Sequence, residues 1–401
     1  MHGFMKKSGK NKRIKIIRVT THPRTLYAFC RGFLAELSED YEVIAVSSPD
    51  EKLDDLSQSE KVRCIPVRME RPISLLKDLV SLLKLIKVFK SERPQMVHSM
   101  TPKAGLLSMI AARITGVPVR IHTFTGLVFP TSTGFKRKLL MLTDRITCAC
   151  ATHIIPEGMG VKHDLESYGI TCKPMQILGY GNVRGINLQY YDRTEGVLND
   201  AAKIRQTLGI GQDCFVFIFV GRLVGDKGIN ELVAAFDKLC SQVSNLYLLL
   251  VGHDEVQLDP LAENTLRTIA GNPCIHAVGE QQDVRPWYAA SDALVFPSYR
   301  EGFPNVVIEA GAMGLPSIVT DINGSREIIR QNVNGVIVPS HDADALFQTM
   351  SEFINHPEKM KEMGKKARPL VASRYEQTFV RRCLKDFYRS VLNGLSNEYT
   401  K

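Results

Sequence analysis

Two carboxylates, Glu301 and Glu309, stand eight residues apart in an otherwise small and apolar stretch, SYREGFPNVVIEAGAMGLP (298–316). Pro304 is suited to the first position of a helix, where its missing N–H would have no intrahelical partner anyway. On that reading Glu301 lies in the loop before the helix and Glu309 about a turn and a half inside it. The free amides near Phe303 to Val306 favour oxygen-rich or anionic ligands. Glu301 beside that helix start can grip a hydroxylated ring. Glu309 can reach back to a diol such as ribose, because a carboxylate accepts two hydroxyl donors well. Taken alone, the plainer reading is a surface-loop glutamate and a glutamate capping its own helix. A second pair, Arg222 and Lys227, sits five residues apart in GRLVGDKG (221–228), across a turn made by Gly225 and Asp226. Both cations can converge on one diphosphate and stabilise negative charge developing on a departing phosphate. The plainer reading of these is two solvated loop cations.

Such residues need elements that bring them together. IKIIRV (14–19), YEVIAVS (41–47), QMVHS (95–99) and VPVRIHT (117–123) read as strands. Helical patterns over 25–38, 73–91 and 103–115 separate them. After the turn-rich LGYGNVRGINLQYYD (178–192) the alternation restarts. It gives strands at 214–221, 246–252, 292–298, 316–320 and 335–339, with helices over 228–241 and 304–313. Continuous apolar strands between helices predict parallel sheets buried on both faces. Two such series predict two doubly wound α/β domains facing one another, with ligands beyond the carboxyl ends of the strands.

The 401-residue length suits two or three domains, and no apolar run approaches a membrane span. The basic N-terminus lacks a long apolar region before the first strand, which predicts no secretory signal. Nine scattered cysteines, an odd number without metal-type spacing, predict reduced thiols and a cytoplasmic compartment. Cys148 and Cys150 read as core packing. Charge is uneven: residues 1–187 carry a net +13 and the remainder −4. A basic first half implies an anionic partner. No nucleic-acid-binding motif accompanies the charge, so nucleic acid is not the expected partner.

The order GRL…DKG, ASDALVFPSYREGFPNVVIEA, TDINGSREII and NGVIVP resembles the retaining nucleotide-sugar glycosyltransferases of family 4. That resemblance implies the GT-B fold: two facing Rossmann-like domains with a C-terminal helix returning to the first. Residues 1–183 would bind the acceptor, 184–376 the nucleotide-sugar donor, and 377–395 would form the returning helix. It implies that Arg222 and Lys227 bind the donor diphosphate, and that Glu309 holds the ribose. Glu301, with backbone around Gly302, Phe303, Pro304 and Asn305, would hold the donor sugar. Gly324 and Ser325 match a small-residue turn near the sugar or phosphates. VHSMTPKAGLLSMIAARITGVPVRIHTFTGL (97–127) resembles bacterial enzymes extending undecaprenyl-diphosphate-linked sugars in capsule, O-antigen and protein-glycan synthesis. On that likeness His122 contacts the donor sugar near the anomeric centre, and His98 and Lys103 meet the acceptor. Two segments depart from the family pattern. TTHPRTL (20–26) replaces a Gly-rich turn, with Thr21 or Arg24 as substitutes, and HDEVQLD gives His253 to Glu255 no role.

The only D-x-D, Asp342-Ala-Asp344, reads as a helix N-cap, so no obligatory metal is expected and no cofactor beyond the nucleotide-sugar substrate. Helix 75–90 has an apolar stripe flanked by Lys84, Lys87 and Lys90, and Lys136, Arg137 and Lys138 add to it. With the basic first half, these predict peripheral attachment to an anionic membrane surface at the cytoplasmic face. The expected activity is transfer of a sugar, from a UDP donor, to a lipid-diphosphate-linked saccharide. No side chain reads as a nucleophile, so a same-face mechanism is expected, the leaving phosphate taking the acceptor proton. The rivals are a sugar-nucleotide 2-epimerase of the same architecture and a non-catalytic nucleotide-sugar-binding partner.

Overall fold

A computed structural model describes residues 13–70, 74–254 and 259–398. The basic N-terminal run and Glu255 lie outside them. The first sheet comprises β1 (Lys15–Val19), β2 (Glu42–Ser47), β3 (Arg63–Pro66), β4 (Met96–Met100), β5 (Val119–Phe124) and β6 (His153–Pro156). The second comprises β7 (Phe215–Val220), β8 (Leu246–Val251), β9 (Ile275–Gly279), β10 (Ala293–Phe296), β11 (Ser317–Thr320) and β12 (Gly335–Val338). The orders are β3-β2-β1-β4-β5-β6 and β12-β11-β10-β7-β8-β9, with every pairing parallel. Each is a doubly wound sheet whose order reverses once, between β1 and β4 in the first and between β7 and β10 in the second.

Strands β3, β6 and β9 were not expected from apolar runs, and all three lie at sheet edges. Edge strands need burial on fewer sides, so RCIP and IHAVG carry no continuous apolar signature. The helix expected over 25–38 is two helices, Pro23–Cys30 and Phe33–Asp40. Gly32 breaks it with a φ of 73°. The buried Glu60 then accepts the Gly32 N–H at 2.5 Å and the Ala35 N–H at 3.0 Å, satisfying amides the second helix start leaves free. Pro304 stands at the N-cap of the helix Asn305–Ala312, one residue earlier than expected.

The chain crosses between the sheets twice. Ile186 and the Tyr375–Gln377 corner exchange backbone hydrogen bonds of 2.8 and 3.0 Å, binding the two crossings together. Beyond that corner the helix Gln377–Glu398 packs Leu384, Phe387, Tyr388 and Leu392 into the first sheet's core. Lys385 pairs with Glu36 at 3.3 Å and with Asp40 at 3.5 Å on its flank. Inside, the Tyr388 hydroxyl accepts from the buried Arg18 guanidinium at 2.5 Å. Among the described residues no carboxylate hydrogen-bonds Arg18, so this hydroxyl is one of few groups solvating a buried cation. Urea unfolding should therefore show a loss of about 1.5–3 kcal/mol for Tyr388→Phe, a hydrogen bond to a charged group, and about 3–5 for Tyr388→Ala. Wild-type stability in Tyr388→Phe would mean that the hydroxyl contributes nothing.

Candidate functional site

The loops that follow β7 and β10 diverge at the point where the second sheet reverses direction. This divergence opens the crevice in which doubly wound sheets hold ligands. After β7 the chain makes a short 3-10 turn, Gly225–Lys227, and then starts the helix Ile229–Cys240. Gly228 links the two with a φ of 69°, and a Cβ there would sit 2.1 Å from Pro297 O. Only glycine allows the two loops to lie this close.

That approach brings Lys227 and Glu301 into an ion pair, both mostly buried. Ser298 sits beneath them: its hydroxyl donates to Glu301 Oε1 at 3.0 Å, and Lys227 Nζ lies 3.5 Å from it. Arg300 Nη2 reaches back to Asp226 Oδ2 at 2.7 Å, tying the loops a second time. Arg222 is half-buried in the same β7 loop.

Glu309 lies inside the helix Asn305–Ala312 and is buried. Arg184 Nη1 donates to its Oε1 at 3.0 Å, and the Tyr288 hydroxyl to its Oε2 at 3.3 Å. Burial, with the Glu309 charge beside it, pushes the Tyr288 phenol well up, so Tyr288 stays a neutral donor. For Arg184 burial alone would lower the pKa, but Glu309 and Tyr191 outweigh it and the guanidinium is held charged.

The carboxyl ends of both sheets meet around Gly302. A Cβ at Gly302 would lie 2.2 Å from Thr125 O, and one at Gly126 would lie 3.1 Å from Gly302 N. Gly324, with a φ of 74°, packs against Gly302 O and Pro304 Cδ at 2.6 and 2.7 Å by the same measure. Ser325 is fully buried beside it, and its hydroxyl has no hydrogen-bond partner among the described residues. Phe303 is buried edge-on against Tyr375. The Asn305 side-chain oxygen accepts from Asn182 Nδ2 at 3.0 Å. Lower in the seam, Glu327 accepts the backbone N–H groups of Met159 and Gly160 at 2.6 and 3.0 Å, and so holds the start of the helix Met159–Ser167 from across the interface.

The three basic residues expected from the first domain are not part of this cluster. The expected strand containing His122 stopped at 123, but β5 runs on to Phe124. His122 is therefore enclosed: Nδ1 lies 2.8 Å from Ser99 Oγ, and the ring packs against Gly105 and edge-on to Phe124. Burial pulls its pKa down to about 3, so it is a neutral, enclosed histidine. His98 is likewise interior, with Nδ1 2.9 Å from Arg18 Nη1 and Nε2 2.7 Å from Thr123 Oγ1. Burial, then Arg18 and His122, hold its pKa well below the usual histidine value. Both rings are almost fully buried. Lys103 ties two helices together through Asp78 at 2.7 Å. Thr21 is buried and bonded to Thr101 Oγ1 at 2.8 Å, whereas Arg24 is exposed. Asp342 caps the helix Ala343–Asn355, accepting the Ala345 N–H at 2.8 Å.

Sequence reading missed Arg184, Tyr288, Asn182, Ser298, Glu327 and Glu157. Glu157 follows β6, so recognising that edge strand would have marked it as a strand-end residue. Its carboxyl is fully buried, and Oε1 has no partner among the described residues. Burial raises its pKa to about 8; Glu301 and Glu327 add to this, and the Val183 N–H opposes it.

A cation–carboxylate crevice at a reversal point, closed by the carboxyl ends of a second doubly wound sheet, defines the GT-B class of nucleotide-sugar enzymes. The models for "Glycosyl transferases group 1" and "Glycosyl transferase 4-like" match residues 200–369 and 18–157. The chain is 32% identical over 382 residues to the capsular polysaccharide biosynthesis glycosyltransferase CapM of Staphylococcus aureus, covering 95% of this chain and 98% of that protein. It is 28% identical over 317 residues to UDP-Gal:alpha-D-GlcNAc-diphosphoundecaprenol alpha-1,3-galactosyltransferase of Escherichia coli, covering 78% and 80%. The crystal structure of Anabaena HepE with UDP and glucose superposes with a TM-score of 0.78 at 17% identity, over 94% of this chain and 100% of that one. The chain belongs to the family 4 glycosyltransferases.

Glu157 sets a pH dependence. The folded chain binds this proton more tightly than the unfolded chain, whose carboxyl titrates near 4.5. The stabilisation from its neutral form is thus complete below pH 4.5 and is lost as pH rises to about 8. Glu157→Gln keeps the neutral shape. Its melting temperature relative to wild type should rise steadily from pH 4.5 to 8. A difference constant across that range would place the titration elsewhere.

Proposed function

We propose that this enzyme transfers a hexosyl or N-acetylhexosaminyl group from a UDP donor to a lipid-diphosphate-linked saccharide, with retention at the anomeric carbon. The observation that carries the reading is the Lys227–Glu301 pair at the reversal point, with Glu309 buried in the adjoining helix. Arg222 and Lys227 hold the donor diphosphate. Glu301, with the Gly302–Asn305 backbone, holds the sugar, and Gly324 and Ser325 line the turn beside it. Glu309 accepts the ribose hydroxyls. The bond from anomeric carbon to phosphate oxygen breaks, and the acceptor oxygen bonds to that carbon on the same face. The departing diphosphate takes the acceptor hydroxyl proton, while the two cations stabilise its charge without an obligatory metal. The name of the E. coli relative supports both a UDP donor and a diphosphate-lipid acceptor.

The acceptor's lipid places the reaction at a membrane, on the cytoplasmic face where the nucleotide sugar is available. Among the described residues no helix is long and apolar enough to cross a bilayer. The helix Leu75–Glu92 instead exposes an apolar face, with Leu75 and Leu76 more than 80% accessible and Leu79, Val80 and Leu83 more than half. Lys84, Lys87 and Lys90 on that helix are exposed, as are Phe135, Lys136 and Lys138 on the same side of the first sheet. Exposed leucines beside lysines suit an anionic lipid interface, each basic residue contributing roughly 1 kcal/mol.

Release of UDP from a panel of UDP-sugars, with and without an undecaprenyl-diphosphate-sugar and in EDTA, tests the chemistry. Acceptor-dependent release with one donor is expected, falling about 10²–10³-fold in Lys227→Ala and to a similar extent in Glu301→Ala. Release unaffected by either substitution would sink the assignment of the pair, and release abolished by EDTA would sink metal independence.

Flotation with phosphatidylglycerol vesicles tests the surface. Wild type should float at low salt, and Leu76→Ser/Leu79→Ser should remain at the bottom with its melting temperature unchanged. Equal flotation of both would move the contact off this helix.

A further inference from the structure

The segment joining the two domains is unusually constrained for a connection. Gly179, Gly181, Asn182 and Gly185 all have positive φ, at 57°, 84°, 56° and 67°. Asn182 is fully buried, although a side chain in this conformation is uncommon. Its side-chain oxygen accepts the N–H groups of Arg184 and Gly185 at 3.0 and 2.7 Å, a local turn that fixes the backbone on which Arg184 sits. Its Nδ2 donates to Asn305 at the start of the Glu309-bearing helix, and its own N–H donates to Glu157 O at 2.8 Å. Close backbone packing holds Gly185 against Gln377, where a Cβ would lie 2.7 Å from the Gln377 Cα. The connection is thus clamped to the end of β6, to the donor-domain helix and to the returning helix at once. From this frame Arg184 extends to Glu309 Oε1 at 3.0 Å.

We infer that Arg184 is a positioning residue for Glu309, one that sets the carboxylate's orientation for a vicinal diol and couples that orientation to the interdomain connection. The inference rests on the reading that Glu309 holds the ribose. A carboxylate offers about four acceptor positions. Arg184 takes one on Oε1 and Tyr288 one on Oε2, each from a fixed direction. The Tyr191 hydroxyl lies against the same carboxylate, so the acceptor positions that remain for a diol have their direction set by these donors. Without Arg184 the carboxylate loses its guanidinium partner and keeps only the hydroxyl contacts of Tyr288 and Tyr191, so its orientation is no longer fixed. It would then still be buried, yet no longer aimed. The consequence falls on recognition of the ribose hydroxyls and not on the diphosphate grip of Lys227.

Calorimetric titration of the full chain with UDP and with 2′-deoxy-UDP reads this directly. Wild type should favour UDP by about tenfold or more, as one hydrogen bond to a charged acceptor supplies. Arg184→Gln should bring the two ligands to within about twofold, as should Glu309→Gln, and the double variant should lose no more than either. In turnover assays the donor KM should rise in Arg184→Gln with kcat little changed. Arg184→Lys, which keeps the charge but loses the fork geometry, should fall between, and it carries the test if the glutamine variant melts early. Arg184→Gln retaining wild-type discrimination would overturn the inference and leave the pair as a structural tie. Wild type binding both ligands equally, with Glu309→Gln silent, would overturn the reading of Glu309 itself, and the inference with it.

Discussion

Backbone touches backbone where Gly302 meets Thr125 and Gly126, and the site depends on that contact. Neither side can carry a Cβ there without displacing the other. Because the approach is main chain to main chain, the loops after β5 and β10 meet without side chains filling the space between them. The amides at the start of the Asn305–Ala312 helix are thereby placed beside the first domain. Gly181 and Gly324 extend the same close packing to Glu157, Phe303 and Pro304. A crevice assembled this way is shaped by the paths of the strands, and side chains are then added to it from both domains.

Charge is distributed over this seam in three different manners. Glu301 is paired with the Lys227 ammonium across the two loops. Glu327 is held by two helix-start amides, which cannot leave. Glu157 has neither, and burial keeps its proton on to about pH 8. Three carboxyl groups in one interface would repel if all were ionised and uncompensated. Only one of them is paired with a cation, and that one is the carboxylate the proposed chemistry uses.

In the first domain, polar side chains that look chemical are used for construction. Arg18, His98, Thr123 and Tyr388 form a buried network from β1 to the returning helix. This helix thus docks by a polar lock in addition to Leu384, Phe387 and Leu392. The result joins the end of the chain to the sheet that begins it, so the two crossings between domains are bound into one unit at Ile186 and Gln377.

Continuous apolar strands, and the spacing of Glu301 to Glu309 and of Arg222 to Lys227, were determined by the sequence alone. Burial on both faces demands the first whatever surrounds it. The second follows because both pairs sit in segments that leave a strand at its carboxyl end, where such sheets bind ligands. Edge strands β3, β6 and β9 were not legible, since one open side relaxes the apolar demand. The placement of His98 and His122 was not legible either: β4 and β5 each run one residue beyond the expected ends at 99 and 123, which leaves both histidines inside their strands and not at the exits. Arg184 meets Glu309 across 125 residues of sequence, and no local pattern encodes that contact. The tertiary structure decided it by folding the connection, through Asn182, onto the helix that carries Glu309.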